Sequence, residues 1–317
     1  MNFTKYCSIE NSYDQANLSW WLSNYPMLRA EKYAIHEKIH GANLQVASDR
    51  GEDVKIGTRN NWLDDISGFY NVGELILSER FETFVEKLKA YAHAKNVFII
   101  IFGELYGAGI MKGVNYPKGR HFAPFDVVID GVYQDYGRFV EILKELGIQD
   151  LMAPEVASRV SLDEALAFDV ESFRSKLLDQ EGENIAEGVV IKPMITYVNA
   201  TGSRFALKKK SEKFSERASV KKAEAGQVVP EEVVCVQNLF TGYITENRMN
   251  AVVSKLGPIV RPDQIGEYIK ALMEDAREDF LKEHKDQLAA LDKKLARKVF
   301  TNNRAAEIVV GRLKHAN

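Results

Sequence analysis

Cysteine is scarce in this chain of 317 residues, which holds only Cys7 and Cys235. Two thiols build neither a disulfide framework nor a four-cysteine zinc site, and they fit a reducing compartment. Proline is rare as well, at eight residues, and the 21 glycines follow no repeat, so a collagen-like or low-complexity chain is excluded. Long hydrophobic runs are missing. The longest, Val97 to Phe102, falls far short of the roughly 20 residues that cross a bilayer. The first residues lack the basic-then-apolar order of a secretory signal. A soluble intracellular protein with no membrane partner is expected. Neither sign of charge dominates: the formal net charge is -3 and the pI is near 6.1. That excludes a uniformly basic nucleic-acid coat and still permits a local basic groove on an acidic body.

What the chain does contain is 45% hydrophobic and 10% aromatic residues, enough for packed cores. Its length suggests about two domains. The segments "YAIHEKIHGANLQVA", "NVFIIIFGEL", "FAPFDVVID" and "AEGVVIKPMI" are rich in β-branched and aromatic residues and broken by Gly or Pro, which predicts strands. Between them, residues 78–94 place Phe81, Phe84, Val85 and Leu88 on one helical stripe. Ser161 and Glu164 have capping-box spacing. The pattern predicts an α+β fold with antiparallel or mixed sheets. A charged stretch after residue 207 leads into a linker at 223–230, which separates a domain of residues 1–222 from one of 231–317. In the latter, Thr245 caps one helix and Pro262 opens another, and no strand pattern returns.

Residues 36–40 read "HEKIH", a literal match to the zinc-protease pattern. That chemistry needs a helix that puts His36 and His40 on one face with Glu37 beside the metal-bound water. Gly41 follows at once, then the strand-like "ANLQVAS", and the extended pattern finds Asn43 and Val46 where it wants Gly and His. As a strand entering a turn, the same residues put Lys38 and His40 on one face and Glu37 and Ile39 on the other. Gly41 allows close backbone approach.

Other segments carry polar residues at strand ends. Glu104 follows "VFIIIF"; Phe125 and Asp126 open a strand; Glu187 opens an apolar strand that Lys192 closes. In "ALKKKSEKF", period 2 puts Lys208 and Lys210 on one face and Lys209 on the other. Singly, each also fits a structural role: strand-end charge, core ring, or a charged edge that resists aggregation.

In this order the segments resemble the covalent nucleotidyltransferases, and within them the phage-type RNA ligase 2 family and the kinetoplastid RNA-editing ligases. "EKIHGAN" resembles motif I, "FGELYG" motif III, "FAPFDV" the adenine-stacking motif IIIa, "AEGVVIKP" motif IV and "LKKKSEKF" motif V. The likeness spans residues 20–217. It implies an α+β nucleotidyltransferase (ATP-grasp-like ligase) domain followed by a small all-helical domain. It also implies a monomeric, ATP-dependent RNA ligase that joins 5′-phosphate and 3′-hydroxyl ends at nicks in duplex RNA. Lys38 would be the nucleophile that carries AMP, with Mg²⁺ (or Mn²⁺) held by Glu104 and Glu187. Lys208 and Lys210 would neutralise the α-phosphate, and His40 would be needed for activity. Glu37, Arg59 and Phe125 would contact the nucleotide, and Asn43, Lys209, Lys213 and Arg217 the nucleic acid. His36 departs from the family, which has an arginine before the Glu-Lys pair. The alternatives are a zinc metalloprotease and a non-catalytic duplex-binding module.

Overall fold

β-Branched and aromatic runs bounded by glycine become the central strands of two sheets. The computed structural model describes residues 1–64, 66, 68–178, 184–215, 231–291, 293–300 and 303–316. Arg217 and the expected linker at 223–230 lie outside the described residues. The chain divides into two units, Met1–Lys213 and Phe214–Asn317.

The first unit contains strands β1 (Glu10–Asn11), β2 (Tyr33–Glu37), β3 (Ala42–Asp49), β4 (Val54–Gly57), β5 (Phe98–Tyr106), β6 (His121–Ile129), β7 (Val132–Tyr133), β8 (Glu155–Val160), β9 (Gly188–Pro193) and β10 (Leu207–Lys210). They form two five-stranded sheets, one ordered β1-β10-β9-β2-β8 and the other β4-β3-β5-β6-β7. Neighbours are antiparallel, except that β1 runs parallel to β10. This is the mixed α+β architecture that the strand pattern predicts.

Register decides which strand ends meet. Glu37 lies opposite Val189, and Lys210 lies opposite Gly188. The end of β2, the start of β9 and the end of β10 therefore share one rim of the first sheet. The chain then turns through residues 38–41 into β3, where Asn43 faces Glu104 across the second sheet. Gly41 is required at that crossing: a Cβ there would drive into the Leu105 carbonyl and sit 2.9 Å from Glu104 Cγ.

Behind the first sheet, Leu18, Trp21, Leu28, Tyr33, Ile35, Leu162, Phe205 and Leu207 form a buried cluster. The helix Glu79–Lys95, capped by Ser78, buries Phe81, Phe84 and Leu88. Phe84 stacks on Phe122 of β6. The Ser161–Glu164 capping box is present.

Among its described residues the second unit is helical, with helices Glu231–Thr241, Glu246–Leu256, Ile265–Ala289, Lys293–Val299 and Arg304–Ala316. Thr245 caps the second of these, and Pro262 opens a 3-10 turn ahead of the third. Phe240, Met249, Tyr268, Leu272 and Phe280 fill its core. Buried Arg248 is held by Asp275 and Asp279. Among the described residues no helix is long and apolar enough to cross a membrane.

Candidate active site

The rim of the first sheet gathers charge around one carboxylate. Glu187 stands just before β9, and its Oε2 lies 2.8 Å from Lys38 Nζ and 3.2 Å from His40 Nδ1. Its Oε1 lies 3.0 Å from Lys210 Nζ. Backbone bonds fix this meeting: the Lys38 N–H donates to the Gly188 carbonyl at 2.9 Å, and the Ser211 N–H donates to Glu187 O at 3.0 Å. Burial alone would raise the Glu187 carboxyl, but Lys210, then Lys38 and His40, hold it well below the usual carboxylate range. Lys38 keeps 23% side-chain exposure, the most of the groups around Glu187.

Glu104, in β5, supplies the second acid. Burial pushes its carboxyl up to about 8, and the Glu187 charge adds to the rise; Lys38, the Gly41 N–H and Arg59 oppose it. A carboxyl so raised is what an added cation would ionise. No group of three or more metal-ligating side chains exists among the described residues. Glu104 and Glu187, which act on each other electrostatically, are hard oxygen donors of the kind a hydrated cation such as Mg²⁺ takes while it keeps most of its water shell. The zinc-protease reading fails on conformation, because His36 and Glu37 belong to an extended strand where that motif needs a helix.

The remaining predicted residues divide. Lys208 shares the strand face of Lys210 by alternation and lies opposite Val190. Lys209 points the other way, its Nζ donating to the Leu166 and Phe168 carbonyls at 2.6 and 2.8 Å. Lys213 Nζ donates to the Gly113 carbonyl at 2.6 Å. Glu37 is not part of the Glu187 cluster. It is buried and accepts from Ser175 Oγ at 2.6 Å and from the Lys176 N–H at 2.7 Å. Arg59 reaches Ser8 Oγ at 3.4 Å. Asn43 is buried opposite Glu104, and its Oδ1 has no hydrogen-bond partner among the described residues. His36 is fully enclosed beside Tyr136, and burial, with Lys192 nearby, holds its imidazole down at about 3.

Phe125 is half-buried, its ring 5.1 Å from Tyr6. Lys192 Nζ donates to its carbonyl at 2.5 Å and to Asp126 Oδ1 at 3.1 Å. Arg204 Nη1 and the Tyr6 hydroxyl meet Asp126 Oδ2 at 2.8 and 2.5 Å. Burial works against that carboxylate, yet Arg204 and Lys192 hold it near 2. This buried network under Phe125 is what sequence reasoning missed. Asp126 and Lys192 fall inside the strand motifs, but nothing in the sequence marks Tyr6 or Arg204 as their partners.

Chemically, the rim offers an accessible amine beside a fixed carboxylate, a second ammonium, and a buried acid ready for a cation. Such a set suits covalent transfer of an anionic group. The family profile described as "RNA ligase" matches residues 31–210, and that described as "T4 RNA ligase 2 C-terminal" matches residues 227–306. The mitochondrial RNA-editing ligase 1 of Trypanosoma brucei brucei is 26% identical over 340 residues, covering 81% of this chain and 71% of that protein. Among solved structures, Naegleria gruberi RNA ligase with PPi is 17% identical with a TM-score of 0.48, over 66% of this chain and 56% of that one. A mutant of the same ligase with ATP and Mn gives the same identity, TM-score and coverage. The chain thus spans 56% of the length of these solved ligases.

Proposed function

The chain belongs to the RNA ligase family, and on that premise we propose that it is an ATP-dependent RNA ligase sealing 5′-phosphate and 3′-hydroxyl ends at nicks in duplex RNA. The observation that carries the reading is the gathering of Lys38, His40 and Lys210 within 3.2 Å of the Glu187 carboxylate.

In the first step the Lys38 amine attacks the α-phosphorus of ATP. A P–N bond forms, the bond to the bridging oxygen breaks, and pyrophosphate leaves. The RNA 5′-phosphate oxygen then takes the adenylate from Lys38, and a 3′-hydroxyl finally displaces AMP as the phosphodiester forms. Glu187 holds the amine in one orientation through its 2.8 Å contact, which reduces the entropy cost of alignment. Lys210, with Lys208 on the same strand face, meets the charge that builds on the α-phosphate oxygens. Mg²⁺ at Glu104 and Glu187 would favour the unprotonated amine and screen the triphosphate. Phe125 offers a ring for adenine, braced from below by Lys192 and Asp126. Glu37 accepts from Ser175 and Lys176 and holds those two residues against motif I. His40 acts through Glu187 as a positioning residue. Asn43, Lys213 and Arg217 are assigned to the RNA. The Lys209 ammonium is engaged behind the sheet and grips RNA least.

Incubation with α-labelled ATP and Mg²⁺ should leave label on the chain, and Lys38→Ala should abolish it. Label persisting on that variant removes Lys38 from its role.

A further inference from the structure

We infer that a cleft at the β1 edge of the first sheet takes a nucleobase of the RNA strand being joined, stacked on Trp20. This rests on the ligase reading above.

The cleft has a volume of about 410 Å³, and its lining includes Ser8, Glu10, Asn17, Trp20, Ser203 and Arg204. That is roughly the lower part of the size range of small-molecule sites. Trp21, the next residue, is buried in the core, whereas Trp20 stays 46% exposed. An indole left open at the mouth of a cleft is a stacking platform of the kind that single-stranded nucleic acid uses.

The polar groups beside it match the edge of a base. Asn17 Oδ1 is buried with no hydrogen-bond partner among the described residues, an acceptor awaiting an N–H. Arg204 is about 5% exposed, and its Nε is likewise buried without an acceptor among them. A base presents both donors and acceptors on one edge, as this pair requires. A phosphate fits less well. Among the described residues lining the cleft, Arg204 is the only cation, and Asp126 already opposes its charge at 2.8 Å.

Position ties the cleft to the reaction. Glu10 pairs with Leu207 and Asn11 with Lys208, the strand that continues to Lys210. Ser8, on the wall, is the residue that Arg59 reaches at 3.4 Å. A strand whose end is held at the Lys208 and Arg59 side can therefore place a splayed base against Trp20.

The test uses the full chain and a nicked RNA duplex carrying one abasic position at a time near the break. Wild-type protein should lose about tenfold in RNA affinity at one such position, the size expected of a single stacked base. Trp20→Ala should lose the same factor on intact RNA and become insensitive to that position. Trp20→Phe should stay within about twofold of wild type. Label transfer from ATP to the chain should be unchanged in both variants, which also reports that they fold. Equal RNA affinity of Trp20→Ala and wild type overturns the proposal, as does an abasic effect that persists in the variant. Quenching of Trp20 emission by free nucleoside monophosphate, with no RNA defect in Trp20→Ala, would assign the cleft to a free nucleotide and overturn it too. If wild-type protein takes no label from ATP, it is the ligase reading that has failed.

Discussion

Two adjacent lysines provide the sharpest check on the site, because strand alternation sends them to opposite faces. Lys210 Nζ lies 3.0 Å from Glu187, within the cluster that holds Lys38. Lys209 Nζ donates to two carbonyls, Leu166 O and Phe168 O, near the end of the helix Leu162–Ala167. Truncating Lys210 to Ala removes a preorganised cation from the α-phosphate, and losses of this kind run to roughly 10²–10³ in rate. Truncating Lys209 to Ala leaves the rim intact but strands two carbonyls. The cost is then about 1–2 kcal/mol of stability, discounted for the partial exposure of the site. Single-turnover labelling with α-labelled ATP should therefore fall by roughly 100-fold or more in Lys210→Ala and by less than about threefold in Lys209→Ala. Urea unfolding should show both variants destabilised, since Lys210→Ala also takes one ammonium from the buried Glu187 carboxylate. Tryptophan emission reports this unit specifically, since Trp20, Trp21 and Trp62 all lie in it. Equal losses of rate, or a rate defect confined to Lys209→Ala, would refute the assignment of faces.

The enclosed His36 carries a pH signature. Its imidazole sits near 3 in the folded chain against about 6.5 unfolded. The penalty is absent above pH 6.5 and grows as acidification protonates the unfolded state first, costing about 2 kcal/mol between pH 7 and 5. His36→Phe should remove that part of the pH dependence in urea melts, and an unchanged slope would contradict it. Gly41→Ala should cost about 1–3 kcal/mol, because the new methyl meets the Leu105 carbonyl, and should depress labelling as Glu104 is displaced; wild-type labelling would show that the turn can yield. A chain ending at residue 222 keeps every residue of the Glu187 cluster. It should label from ATP at near the full rate while sealing poorly, and loss of labelling would place the domain boundary elsewhere.

Local signals sufficed where a residue's neighbours in sequence are also its neighbours in space. The apolar runs of β5, β6 and β9 and the stripe of the helix Glu79–Lys95 are visible as periodicity, and the caps at Ser78, Ser161 and Thr245 as short-range pairs. β8, "EVASRV", escapes that reading because its residues are half-buried or exposed and carry no alternating apolar face. β1 escapes as well, since a two-residue parallel pairing with β10 depends on a partner about 200 residues away. In the site, the opposition of Lys209 and Lys210 was legible because alternation is a property of the strand alone. The fastening of Glu37 by Ser175 and Lys176 was not, and neither was the union of Tyr6, Asp126, Lys192 and Arg204. Those groups lie far apart in the sequence, Glu37 from Ser175 by 138 residues and Tyr6 from Asp126 by 120.

The turn at residues 38–41 explains why the chemistry sits where it does. It is one of two places where the chain passes between the sheets, the other lying between β7 and β8, and β3 begins four residues after Lys38. Each carboxylate of the site comes from a different sheet: Glu187 precedes β9 of the first, and Glu104 belongs to β5 of the second. Both acids are tied to this turn, Glu187 through the bond from the Lys38 N–H to the Gly188 carbonyl and Glu104 through the Gly41 N–H and its place opposite Asn43. The turn therefore places Lys38 relative to both carboxylates through backbone contacts on each side of it. Such a double anchor lowers the entropy cost of aligning an amine for the attack proposed above.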